Sequence, residues 1–212
     1  MKKMLLLFLL LLLLAACQGA PEPTPQPLLT PATTDGAASA TDRALQSTEP
    51  LAPEAAGQPM SLAIPALQLQ IPISEMGWQV TEVNGERKAT WEVPADSAGW
   101  HLNSAQPGTA GNLILSGHHL LGAAVFAPLA RGEVTVGMPL LVTDDQGRTF
   151  LYQVSQISEP IPALGASAAE QQQATTYLAP STRPILTLVT GWPDFSDTHY
   201  LFVIADFVGI LQ

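Results

Sequence analysis

The hydrophobic and polar positions divide this chain into three textures. Met4 to Ala16 is an unbroken apolar run. From Gln18 to about Gln58 the chain is rich in Pro, Ala, Thr and Gln, opens with Pro21-Glu22-Pro23-Thr24-Pro25-Gln26-Pro27, and has no sustained apolar periodicity. Such a segment buries too little to offset its ordering entropy, and its prolines favour extended conformations, so it reads as a tether. Beyond Met60, short apolar or alternating runs are separated by Gly, Pro and Asp, the pattern of strands joined by turns.

Strands are expected at Ser61 to Ile64, Leu67 to Ile73, Gly77 to Val80, Ala89 to Val93, Asn112 to Ser116, Pro139 to Thr143, Phe150 to Ile157, Ile185 to Thr190 and Tyr200 to Phe207. Asp145-Gln146-Gly147 reads as a hairpin turn, with Gly147 free to take a positive φ. Val125 to Ala130 reads as a short helix, and Ala166 to Tyr177 as loop or weak helix. Many short strands with little helix predict a mainly β fold, a closed or nearly closed barrel.

The apolar leader follows Lys2 and Lys3 and ends in small residues, the layout of a secretory signal peptide. A membrane-spanning helix needs about 20 apolar residues, and this run is too short. It ends at Leu14-Ala15-Ala16-Cys17, which resembles the bacterial lipobox. That resemblance implies a diacylglyceryl group on the Cys17 sulfur and cleavage just before it. Two acyl chains anchor durably where one binds reversibly, each buried CH₂ contributing about 0.8 kcal/mol. The expected division is therefore a signal peptide at 1–16, the lipidated Cys17 and tether at 17–58, and one globular domain at 59–212. The expected location is extracytoplasmic, on the bacterial cell membrane, with the lipid bilayer a partner through Cys17.

Charge narrows the partners. Without Lys2 and Lys3, six basic residues face 18 acidic ones, the wrong sign for nucleic acid and no help on anionic lipid. Cys17 is the only cysteine, so no internal disulfide forms and the domain must be held by its core.

The order of blocks within that domain is Leu62-Ala63-Ile64-Pro65, Trp91-Glu92-Val93-Pro94, Ala98-Gly99-Trp100 and Pro107-Gly108-Thr109-Ala110-Gly111-Asn112. There follow Leu115-Ser116-Gly117-His118, Val125-Phe126-Ala127-Pro128-Leu129, and Leu186-Thr187-Leu188-Val189-Thr190 with Trp192-Pro193 and Thr198-His199. Over residues 60 to 208 this series resembles the sortase family. The resemblance implies an eight-stranded β-barrel and a cysteine transpeptidase. Its thiolate attacks a backbone carbonyl in a sorting signal such as Leu-Pro-x-Thr-Gly, a histidine serves as acid or base, an arginine stabilises the oxyanion, and an amine resolves the acyl-enzyme. Carried across by motif, the histidine is His118. The nucleophile falls at the residue after Thr190, which is Gly191, and the arginine at the residue after Thr198-His199, which is Tyr200. Two of the three catalytic groups are replaced.

Other chemistry is weighed residue by residue. Thr190 should face away from Gly191 by strand alternation, and Ser196 and Thr198 lie in a loop with no arranged base evident. His118, His199 and Asp194 or Asp197 are suitable zinc ligands but carry no signature spacing, so neither metal nor cofactor is expected. His119 reads as a partly exposed neighbour of His118, His101 as a loop residue after Trp100, and Trp91, Trp100 and Trp192 as core or groove-wall residues. The expected function is that of a catalytically inactive sortase-like module binding sorting-signal-like peptides or envelope proteins. A sortase-like transpeptidase or hydrolase using non-cysteine chemistry, and a structural partner of an active sortase, are the alternatives.

Overall fold

The computed structural model describes residues 45–83 and 86–212. Cys17, the leader and the first part of the tether lie outside the described residues. The elements in chain order are β1 (Leu45–Ser47), β2 (Pro59–Ile64), β3 (Leu69–Met76), β4 (Trp78–Val83), β5 (Glu86–Trp91), β6 (Ala98–His101), β7 (Gly111–Ser116), α1 (Ala127–Ala130), β8 (Pro139–Asp144), β9 (Thr149–Ile157), β10 (Ile161–Pro162), α2 (Ala168–Leu178), β11 (Pro184–Trp192) and β12 (His199–Leu211).

Eight of these strands close into a barrel in the order β12, β11, β7, β6, β3, β2, β8, β9 and back to β12. Closure depends on β12, whose length lets its first half pair with β11 and its last residues with β9. A register shift between Phe207 and Gly209 marks the change of partner. The pairs β7/β11 and β3/β6 are parallel, and the remaining barrel pairs are antiparallel. A second sheet, the β4–β5 hairpin, lies between β3 and β6 in the chain. The fold is thus mainly β with two short helices, as the sequence pattern and the family resemblance both imply.

Period-two alternation fills the interior. Leu186 and Leu188 of β11 point inward beside Leu113 and Leu115 of β7, with Phe150, Tyr152 and Val203 across the barrel. The Tyr152 hydroxyl is buried but satisfied, accepting from the backbone N–H of Gly108 at 2.8 Å. Burial pushes its phenol pKa up. Gly147 takes φ +77° in the turn between β8 and β9, as its place in the hairpin requires.

Two features differ from the sequence expectations and a third decides between two that were left open. The strand β6 was not among them, because Ala98-Gly99-Trp100-His101 is buried throughout and shows no alternation. The segment read as loop or weak helix is the helix α2, started by a capping box in which the Ser167 hydroxyl accepts from Glu170 N–H and the Glu170 carboxylate accepts from Ser167 N–H at 2.7 Å. Within the expected tether, Leu45 and Ser47 pair with Leu211 and Ile210, and Leu51 N–H donates to Gly108 O. The backbone edge of β12 offers these residues hydrogen bonds that apolar periodicity does not register.

Candidate functional site

On the outer face of the barrel, β7, β11 and β12 lie side by side. Inward-facing Leu186, Leu188 and Thr190 alternate with outward-facing Thr187, Val189 and Gly191. Thr190 is buried and its hydroxyl donates to Gly117 O at 2.8 Å, so it faces away from Gly191. Across the sheet Gly191 pairs with Tyr200, and Val189 with Phe202 on one side and Ser116 on the other.

Two contiguous hollows lie over this face. One, about 370 Å³, is lined by Gly191, His118, His119, Leu121, Asp197 and Tyr200 among others. Another, about 480 Å³, is lined by Trp91, His101, Ala174, Leu178 and Phe202, and shares Val93, Ser116, Val189 and Tyr200 with the first. Together they form a groove that is apolar along most of its length and polar near Gly191. Its walls come from α2 on one side and from the end of β5 and Val93 just after it on the other, where Trp78 of β4 stacks on Trp91 at 3.7 Å and Trp91 meets His101 at 4.4 Å. Tyr177 lies against Phe202 at 5.1 Å and fixes the helix over the sheet. The two other tryptophans serve the core, Trp100 within it and Trp192 packed against it.

The structure corrects the reading of two histidines. His119 is the buried member of its pair, 7 % exposed, while His118 is half-buried. The His119 Nε2 lies 3.0 Å from Pro193 O and 2.9 Å from Ser196 O, so the β11–β12 loop folds around its ring. His101 ends β6 rather than standing in a loop; it is 7 % exposed and its Nε2 is 2.8 Å from Ser116 Oγ. Burial pushes its pKa down to about 4. His118 Nε2 donates to Val93 O at 3.1 Å, tying it to the opposite wall.

Gly191 has no side chain, and its space is taken. A Cβ built there would overlap His119 Cε1 and Asp197 Oδ1 and lie 2.8 Å from His119 Nδ1. His119 is held by two backbone carbonyls, so it cannot simply rotate away.

His118 and Asp197 line the cleft, but His199 turns to Thr198, its Nδ1 2.9 Å from the hydroxyl, and packs edge-on against Trp192. Among the described residues no group of three His, Cys, Asp or Glu is arranged to hold a metal ion.

The family model of the sortase domain matches residues 62–208, well over half of the chain. This chain belongs to the sortase family. The model for the prokaryotic membrane lipoprotein lipid attachment site matches residues 1–18. Among the described residues no helix is long and apolar enough to cross a membrane. The chain is thus a sortase-family protein with a lipid-anchoring motif. Solved structures similar to it include a lid mutant of sortase A from Corynebacterium diphtheriae, 26% identical with a TM-score of 0.53, covering 74% of each chain. Sortase E1 from Streptomyces coelicolor, solved with a tripeptide in the active site, is 19% identical with a TM-score of 0.53, covering 74% of this chain and 90% of that one. The sortase D5 transpeptidase of Clostridium perfringens is 19% identical with a TM-score of 0.51, over 72% and 79% of the two chains. No curated protein matches the sequence.

Within this sortase-family domain the residues that sequence reasoning undervalued are His119 and His101. For the first, nothing local in the pair His118-His119 tells which ring is buried, since both line the cleft. For the second, β6 is buried throughout, and the place of His101 beside the groove follows from the pairing of β6 with β7.

Proposed function

We propose that this chain is an extracytoplasmic, lipid-anchored binding protein of the cell envelope, in which a sortase-family barrel holds a peptide without cutting it. Gly191 carries the reading. The family's thiolate belongs at the residue after Thr190, and there the chain has no side chain and the edge of His119 fills the space. The family's arginine belongs at the residue after Thr198-His199, which is Tyr200, the cross-strand partner of Gly191. An acyl-enzyme needs an atom to bond to the carbonyl carbon and a fixed charge for the developing oxyanion. Removing a serine-protease nucleophile costs about 10⁶ in kcat, and one oxyanion donor about 10² to 10³. His118 alone supplies neither function.

A peptide cleft survives these replacements. The groove between α2 and the Trp91–Val93 segment keeps an apolar floor of Val189 and Phe202, and a tripeptide occupies the active site of the similar Streptomyces coelicolor enzyme. The test is calorimetry of the full-length protein in detergent with capped Leu-Pro-x-Thr-Gly peptides and envelope-protein tails, each mixture also analysed by mass spectrometry. Saturable binding with intact peptide is expected; no binding across the panel ends this reading.

An enzymatic reading has one observation in its favour, the Ser116–His101 pair in the groove wall. A serine hydroxyl 2.8 Å from an imidazole is the start of a nucleophile–base arrangement. The depressed pKa of His101 makes it a weak base, and no carboxylate bonds its other nitrogen among the described residues. Fluorophosphonate labelling of Ser116, lost on His101→Ala, would establish this chemistry.

A further inference from the structure

The β4–β5 hairpin leaves the barrel between β3 and β6, and among the described residues neither of its strands pairs with any other strand. A two-stranded ribbon is at best marginally stable alone in water, so an open apolar face on it calls for a reason. Trp78 stands opposite Trp91 and Glu82 opposite Arg87, so these four share one face with Val80. Trp78 is 56 % exposed and Val80 64 %. This face is continuous with the groove. Trp91 lines the groove and stacks on Trp78 at 3.7 Å, so one ring belongs to both surfaces. The base of the hairpin is fixed to the same wall. Glu92 N–H donates to Gly77 O at 3.3 Å and Gln79 Nε2 donates to the Glu92 carboxylate, while the next residue, Val93, lines the groove and accepts from His118. Stacking on Trp91 accounts for one side of the Trp78 ring. It accounts neither for the other side nor for Val80.

Resting on the peptide-binding reading above, we propose that the hairpin prolongs the groove past Trp91. Its Trp78–Val80 face receives large apolar side chains, aromatic ones above all, from an extended peptide that continues beyond the segment held between α2 and Val93. Trp78 and Val80 are two residues apart, about 6.6 Å along the strand. Side chains on one face of an extended peptide repeat at the same spacing, so alternate residues of the ligand meet the two in turn. A ring laid on the open side of Trp78 adds a third layer to the Trp91–Trp78 stack. Glu82 and Arg87, both exposed and opposite in charge, end the apolar stretch at the next alternate position. The face is therefore about two ligand side chains long. Because Trp91 and Glu92 tie the hairpin to the groove wall, those two side chains stand at a set distance from the part of the peptide in the groove. The hairpin thus adds length and sequence preference to the groove, and no bond forms or breaks.

The test uses the full-length lipidated protein in phosphatidylcholine nanodiscs, where no free detergent competes for an apolar face. Its ligands are capped Leu-Pro-Glu-Thr-Gly and longer capped peptides with a Gly-Ser spacer before or after that core. One set carries Phe at two alternate spacer positions, in either phase, and its twin carries Ser there. On one side of the core the Phe peptides are expected to bind about tenfold more tightly than their Ser twins, and on the other side equally. Val80→Thr, an exposed change that keeps strand propensity, should remove most of that gain and leave the affinity of the core peptide unchanged. A hairpin that only braces Trp91 predicts the opposite: Trp78→Thr weakens every peptide by one factor and Val80→Thr weakens none. Acrylamide quenching, read as the difference between the parent and Trp78→Phe, tests for lipid as the occupant. Trp78 should be shielded by the Phe peptide and not by the nanodisc, and shielding by the nanodisc alone overturns the proposal. Equal binding of Phe and Ser peptides on both sides, or a gain that survives Val80→Thr and Trp78→Thr together, overturns the hairpin subsite while leaving the groove standing. Failure of every peptide, the core included, overturns both.

Discussion

The ring of His119 occupies the volume that a side chain at Gly191 would need. Pro193 O and Ser196 O hold that ring, while Asp197 Oδ1, on an exposed flexible side chain, closes the same space from the other side. A side chain at position 191 and the imidazole of His119 therefore compete for one space. Gly191→Ala is expected to destabilise the domain by about 1–3 kcal/mol through overpacking against a pinned ring. In a His119→Ala background the same substitution should cost little. Urea denaturation of the four proteins in this cycle measures the coupling, and additive effects would show that the ring moves aside freely.

The same contact governs any attempt to restore the family's chemistry. From sequence alone, Gly191→Cys with Tyr200→Arg is the natural rescue. With His119 in the way, that double variant is expected to show no transpeptidation of a Leu-Pro-x-Thr-Gly reporter. Adding His119→Ala gives the sulfur room beside His118 and is expected to yield measurable acyl-enzyme by mass spectrometry. Activity of the double variant without the third change would mean that His119 yields at no cost.

How much of this was legible before the structure depended on the range of the interactions. The alternation Leu186, Leu188, Thr190 against Thr187, Val189, Gly191 is local, and it assigns both the core and the groove face of β11 correctly. The short buried strand β6 has no alternation to read, and α2 has no buried residue to give it an apolar stripe. Its start was nonetheless written in Ser167 and Glu170. The burial of His119 arises from carbonyls more than 70 positions away, and no pattern around residue 119 encodes it. His101 became visible only through its pairing with Ser116 across two antiparallel strands.

The wall formed by α2 depends on one buried amide. Asn112 Nδ2 donates to Tyr177 O at 2.9 Å and to Ala179 O at 3.1 Å, while its Oδ1 accepts from the Thr187 hydroxyl at 2.9 Å. These bonds cap the last turn of a helix that buries no side chain of its own. Asn112→Ala is expected to cost about 1–2 kcal/mol by removing three hydrogen bonds, the Thr187 hydroxyl still donating to Tyr177 O at 3.3 Å. It should also weaken peptide binding, because Ala174 and Leu178 line the groove. Limited proteolysis checks the mechanism: new cleavage should concentrate within Ala168–Leu178. Uniform loss of protease resistance along the chain would point to the barrel instead.

His101 makes the domain's stability depend on pH in a defined direction. Its folded pKa is pushed from the usual 6.5 down to about 4 by burial beneath Trp91 and against Ser116. Near pH 7 the ring is neutral in both folded and unfolded chains and contributes nothing to the difference. As pH falls below about 6.5 the unfolded chain takes up a proton that the folded chain refuses, so stability is lost progressively down to pH 4. Over the whole window the loss is on the order of 3 kcal/mol, and below it no further loss comes from this group. His101→Gln keeps a partner for the Ser116 hydroxyl and cannot titrate. Urea midpoints measured from pH 7 to pH 4.5 should fall less steeply in His101→Gln than in the parent, the acidic side chains contributing equally to both. Parallel slopes would mean that His101 takes up its proton as readily in the folded protein as in the unfolded chain, and with it that the groove is wetter than its burial implies.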